Sequence, residues 1–207
     1  MKKYFNYLIK GIFAGLMIGI GGTIYLSLDN KIVGSFLFSI GLLMICMYNM
    51  NLYTGKIGYI VVNNKSYLME LLLTLIGNFI GTYILAFCMI NSRFSSISDK
   101  AKTICEIKLN DNLLSILILS CLCGVLMYIA VNNYKKHNTS IGKYMGIFMC
   151  VMVFILSGFE HSVANMFYFS VAGLLSWNTV LYILVMVIGN SIGAILIALY
   201  DNKINRI

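Results

Sequence analysis

The sequence predicts an all-α membrane protein of six transmembrane helices, built as an inverted repeat of two three-helix halves. Three observations carry that expectation. Of the 207 residues, 60% are hydrophobic and only 11% charged, and the mean hydropathy is +0.88. A soluble domain carries about 25% charged residues. Here polar side chains are too few to cover a globule, so a water-soluble enzyme is excluded, and so is a disordered chain. Six apolar segments, near 8–28, 32–53, 67–91, 112–132, 144–171 and 177–200, each reach the length of about 20 residues that a helix needs to cross a bilayer. Finally, the third and sixth segments share a phrase. Ile76-Gly77-Asn78-Phe79-Ile80-Gly81 matches Ile188-Gly189-Asn190-Ser191-Ile192-Gly193, 112 residues further on. Three spans per half give the halves opposite orientations.

Taken in order, the segments support one membrane domain over residues 1–207, with pseudo-repeats at about 1–91 and 112–207 joined by a loop at 92–111. The first apolar run is too long for a signal-peptide core, and no small-residue cleavage site follows it. The second span is interrupted at Asn49-Met50-Asn51-Leu52-Tyr53-Thr54-Gly55-Lys56. The third and sixth each present a small-xxx-small face on which helix backbones approach closely. The fourth carries Cys121 and Cys123. These and the other four cysteines read as buried thiols rather than metal ligands or disulfides. The fifth span is interrupted from Ser157 to Met166. The chain has no proline, so Gly and Asn must supply the unusual dihedrals at both breaks. Broken backbone at membrane depth persists only inside protein or beside water. Breaks at matching positions of two halves point to a transport pathway.

The net charge is +8. The lysines lie between apolar runs, so the charge reports topology rather than nucleic-acid binding. The N-terminus, the second loop (Lys56, Lys65), the fourth loop (Lys135, Lys136, Lys143) and the tail (Lys203, Arg206) hold ten of the fifteen Lys and Arg residues. That bias puts both termini in the cytoplasm. Between Lys143 and Asp201 the only acidic or basic side chains are Glu160 and His161. An ionisable group inside a span is costly and marks a functional candidate. The plainer reading of His161 is a satisfied structural histidine at a helix break. Glu160 is expected to hold backbone N–H groups freed at the broken helix end. Glu70 is expected at the membrane interface, and His137 in a solvated loop.

Gly158-Phe159-Glu160-His161-Ser162-Val163-Ala164-Asn165-Met166 resembles the fifth-span motif of the formate/nitrite transporter family. Asn51-Leu52-Tyr53-Thr54-Gly55 is similar to the family's second-span motif, where an acidic residue and Phe are commoner than Asn51 and Tyr53. Cys121-Leu122-Cys123-Gly124 through Ala130-Val131 resembles its fourth-span motif, with Gly124 where the family often has Asn. The resemblance covers nearly the whole chain in order. It implies an aquaporin-like fold with broken second and fifth helices, in a homopentamer with one pore per subunit. Position by position it puts the central pore histidine on His161, the pore threonine on Thr54 and the lysine before the fourth span on Lys108. It puts a two-sided apolar constriction on Phe38, Leu42, Leu52 and Phe154. Asn165 matches the family's Asn four residues after the histidine, and Glu160 supports the site. No cofactor and no metal are implied.

A bare anion cannot enter an apolar constriction cheaply, but a neutral acid can. Formate, nitrite and hydrosulfide all have neutral conjugate acids. The expectation is that Lys108 and backbone N–H groups at the breaks attract the anion. His161, bonded to Thr54 or to water, then donates or relays a proton; its ordinary pKa of about 6.5 suits that role. Formate is the first choice, with nitrite or hydrosulfide as alternatives. The partners are thus a small monovalent anion, protons and membrane lipid. A neutral-solute channel like an aquaporin is the remoter reading, since it needs paired Asn-Pro-Ala boxes. A membrane-embedded enzyme lacks a nucleophile or metal cluster in the spans.

Overall fold

The computed structural model describes residues 2–204. Arg206, counted above in the basic tail, lies outside the described residues. Among these, all regular structure is helical: α1 (Lys2–Ser27), α2 (Lys31–Met47), α3 (Tyr53–Lys56) running into a 3-10 turn (Ile57–Val62), α4 (Tyr67–Ile90), α5 (Ile97–Leu109), α6 (Leu113–Lys136), α7 (Ser140–Leu156), α8 (Ser162–Val171) and α9 (Trp177–Ile204). Four of these, α1, α4, α6 and α9, are long and apolar enough to cross a membrane. By contrast α2 and α7 have 17 residues each. At 1.5 Å per residue that is about 25 Å, short of the hydrocarbon thickness of about 30 Å. Each is followed by a non-helical stretch and then a short helix, α3 or α8.

Two close helix pairs form the frame. α1 packs along α4, and α6 along α9. Glycines set the approach. A Cβ at Gly81 would overlap the Ile12 carbonyl, and one at Gly193 the Cys121 carbonyl, so the repeated phrase forms the close face expected of it. The segments after the breaks cross between the pairs. α3 packs on α6 and its 3-10 turn on α9, while α8 packs on α4 and α1. The site therefore forms where material from both parts of the chain meets.

The structure corrects two expectations. Residues 92–111 are not a plain loop, because Ile97–Leu109 is helix. Ile97, Ala101 and Cys105, four apart, make one buried stripe against α8, and Ser98 Oγ donates to Val171 O at 3.0 Å. The helix is too polar elsewhere for its apolar face to stand out as a span. The fifth-span break is also narrower than 157–166. Only Ser157–His161 leave the helix, and α8 resumes at Ser162. Ion pairs mark the two ends of the molecule. Lys3–Glu70 and Lys136–Asp201 (2.7 Å) join helix ends near both termini. At the other end Lys100 pairs with Asp29 at 2.8 Å and holds that carboxyl below its ordinary range. Glu70, in the first turn of α4, is buried and paired with Lys3. His137 is exposed in a loop, as expected.

Candidate functional site

Each break starts with the same turn. Tyr48 N–H and Met50 N–H donate back to Met44 O and Ile45 O, both at 2.9 Å, with Asn49 at φ +50°. Ser157 N–H and Phe159 N–H donate to Val153 O (3.0 Å) and Phe154 O (2.9 Å), with Gly158 at φ +69°. This is the left-handed helix stop that favours Gly and Asn, so those two residue types supply the dihedrals. The exposed backbone is then clamped by the asparagines of the repeated phrase. Asn78 Oδ1 accepts from Tyr53 N–H (2.9 Å), and its Nδ2 donates to Gly11 O and Asn51 O (both 2.8 Å). Asn190 Oδ1 accepts from Ser162 N–H (2.9 Å), and its Nδ2 donates to Ser120 O and Glu160 O (both 2.8 Å). Tyr53, Asn51 and Gly11 lie 109 residues before Ser162, Glu160 and Ser120. The repeat is thus a repeat of hydrogen bonds as well as of sequence.

At matched positions the two breaks carry different chemistry. Leu52 precedes α3 with no side-chain cap, whereas His161, 109 residues later, caps α8 through Nδ1, which accepts from Ala164 N–H at 3.0 Å. A ring nitrogen that accepts holds no hydrogen, so the neutral ring carries its hydrogen on Nε2. Nε2 lies 2.9 Å from Thr54 Oγ1. The cap therefore aims a donor across from the second break to the first. His161 and Thr54 are both almost fully buried (1% and 0% exposed). The Phe154 ring stacks on the imidazole at 5.5 Å, and Phe38 meets Phe154 edge-on at 6.0 Å. Leu52 and Leu42 are buried too.

A cavity opens on each side. One, of about 120 Å³, is lined by Lys108, Phe154, His161, Asn165 and Tyr168 among others. The other, of about 250 Å³ and nearer the termini, is lined by Leu52, Lys56, Tyr134, Lys135 and Lys143 among others. Leu52 and Lys56 correspond to His161 and Asn165, so the same positions of the two halves shape both mouths. Neither Phe38 nor Leu42 lines either cavity.

Glu160 does not hold freed backbone N–H groups, because His161 and Asn190 have taken them. Its carboxylate accepts from Lys108 Nζ at 2.6 and 2.7 Å and from Asn165 Nδ2 at 2.8 Å. The pair is nearly dry, 5% and 13% exposed. Lys108, expected to attract the anion, lies at the cavity wall with its charge balanced by Glu160. Asn165 Nδ2 also donates to His161 O (3.0 Å), which leaves Asn165 Oδ1 without a partner among the described residues. Asn78 and Asn190 were read from sequence only as part of a packing phrase. A polar side chain in the middle of each apolar copy was the available signal.

The family model for "Formate/nitrite transporter" matches residues 1–201. The chain belongs to that family. Among curated relatives it is 30% identical to the formate channel BtFdhC of Bacillus thuringiensis, over 90% of this chain and 81% of that protein. It is 24% identical to the formate-nitrite transporter of Plasmodium falciparum (isolate 3D7), over 94% of this chain and 76% of that protein. The fold matches a solved pentameric formate channel with formate bound at a TM-score of 0.85 and 23% identity, covering 100% of this chain and 99% of that one. A solved FNT family ion channel matches at 0.78 and 21% identity, over 98% and 89%. These relatives of the formate/nitrite transporter chain are channels and transporters, not enzymes.

Proposed function

We propose that this chain is a channel for small monovalent anions of weak acids, formate first, which cross as the neutral acid after protonation near His161. The observation that carries this reading is the His161–Thr54 hydrogen bond, sealed at the meeting point of two broken helices between apolar walls. An anion drawn into the Lys108 cavity meets the Nε2–H of His161 and the hydroxyl of Thr54. A proton from bulk solvent, arriving through cavity water, is taken up by the anion while the Nε2–H of His161 and the Thr54 hydroxyl hold it, and this removes the charge. The neutral acid then passes Phe38 and Phe154 on one side and Leu42 and Leu52 on the other. Asn165 Oδ1, a spare acceptor in the same wall, suits an acid O–H or a water and not an anion. Nitrite and hydrosulfide obey the same chemistry and are the alternatives.

The rest of the reading follows from the repeat. The two sets of helices form an aquaporin-like, six-span inverted repeat within one domain, each half contributing one broken span. Five copies assemble with a pore in each, in the cell membrane, with both termini cytoplasmic. Swelling of proteoliposomes in formate against glycerol tests the reading. Fast formate entry with no glycerol entry is expected, and rapid glycerol entry would favour a neutral-solute channel instead.

A further inference from the structure

The mouth nearer the termini has a composition that the transport reading leaves unused. Lys56, Lys135 and Lys143 line one cavity of about 250 Å³ together with Asn49 and Tyr134. Among the described residues, none of the three pairs with a carboxylate within 4 Å. Each faces an aromatic ring instead. Lys56 Nζ lies 5.6 Å from the Tyr7 ring centre, Lys135 Nζ 3.9 Å from Tyr59, and Lys143 Nζ 5.8 Å from Tyr134. A ring face holds a cation in place but does not cancel its charge. Lys10 adds a fourth cation to the adjoining cavity that Lys56 also lines. The acid beside that cavity, Glu70, is taken by Lys3. In the opposite cavity the one lining lysine, Lys108, is neutralised by Glu160, and of the two lysines in the cavity adjoining it, Lys100 is paired with Asp29 and Lys31 is not.

We propose that this lysine-lined cavity binds a multivalent oxyanion of the sulfate or phosphate class, which cannot pass the leucine wall and obstructs the mouth from that end. A cleft lined by one sign of charge concentrates counter-ions. Each ammonium attracts a dianion twice as strongly as a monoanion at the same distance. The cavity has twice the volume of the opposite one, so a tetrahedral oxyanion fits within it. A single proton does not make a dianion neutral, so the route open to formate is closed to it. The obstruction rests on the channel reading above, but the binding does not.

Sulfate is the probe, because it stays a dianion throughout the assay range. Sulfate binding to the purified full-length protein is measured by calorimetry at constant ionic strength set with chloride. Formate flux is then measured in vesicles of known protein orientation, with sulfate on one face at a time. The expected result is saturable binding and a several-fold slowing of flux from the terminal face only. Lys135→Gln with Lys143→Gln should raise the half-inhibiting sulfate concentration at least tenfold, a larger factor than any change the same variant makes in sulfate-free flux. Equal slowing from both faces, or slowing untouched by the double variant, overturns the proposal. Vesicles with and without anionic lipid separate the two sources of the ligand: loss of the sulfate effect in anionic lipid assigns the site to a lipid phosphate, and persistence assigns it to the free ion. Sulfate binding without any formate flux would sink the channel reading and uphold the site.

Discussion

His161 has one hydrogen to offer and one direction in which to offer it, because Ala164 N–H occupies Nδ1 and leaves Nε2 facing Thr54. Thr54→Val keeps the shape and removes the partner. The loss of one buried hydrogen bond, about 1 kcal/mol, should slow formate flux roughly fivefold in proteoliposomes; undiminished flux would place the substrate elsewhere. Lys108 and Glu160 form a dry pair whose halves need each other. Lys108→Ala should lower stability by about 3–5 kcal/mol, since it strands a buried carboxylate. Adding Glu160→Gln should recover a large part of that loss in thermal unfolding. If it recovers nothing, the charge pair is not what holds that wall. His161 was legible in the sequence because an ionisable group within an apolar run has few reasons to be there, whereas Thr54 and Lys108 were reached only through the family resemblance. The Lys108–Glu160 pairing was not legible, because 52 residues separate the partners and only the docking of α5 on α8 brings them together.

At the scale of elements, the breaks are built by a turn and a clamp. Gly158 sits at φ +69°, where a side chain costs about 1–2 kcal/mol. Gly158→Ala should therefore destabilise by about that amount, whereas Asn49→Gly should be neutral or stabilising. Thermal unfolding of both in detergent checks the contrast, and equal effects would contradict it. Asn190→Ala removes three hydrogen bonds and orphans Ser162 N–H and Glu160 O, while Ser120 O keeps its place in the α6 helical ladder. At about 1–3 kcal/mol for each buried unsatisfied group, it should be among the most damaging single changes in α9. Glycine and asparagine betrayed the breaks to a reader of the sequence, since proline is absent and no other residue adopts those dihedrals cheaply. The clamps were concealed by their neighbours, because Gly77 and Gly189 already explain their phrase as helix packing. The helix α5 was missed because its buried stripe is only three residues long.

Across the whole molecule, one half supplies Leu52 where the other supplies His161, and Lys56 where the other supplies Asn165. A common frame thus carries an apolar, lysine-rimmed mouth at one end and a polar, charge-balanced mouth at the other. The frame was legible because hydrophobic length and a repeated phrase survive without any knowledge of contacts. The difference between the mouths was not, because it depends on which lysines find acids. Five copies should assemble, so the protein mass in detergent should be about five times the 23.2 kDa chain. The central claim is that the imidazole assists the loss of charge. Its most direct test is formate flux from pH 8 to pH 5, corrected for protein-free vesicles, in the parent and in His161→Asn. Asparagine retains a cap for α8 but has no group corresponding to Nε2–H. The parent flux should rise steeply as pH falls, and the variant should be slow with a flattened profile. An identical pH profile in the two proteins would contradict the account.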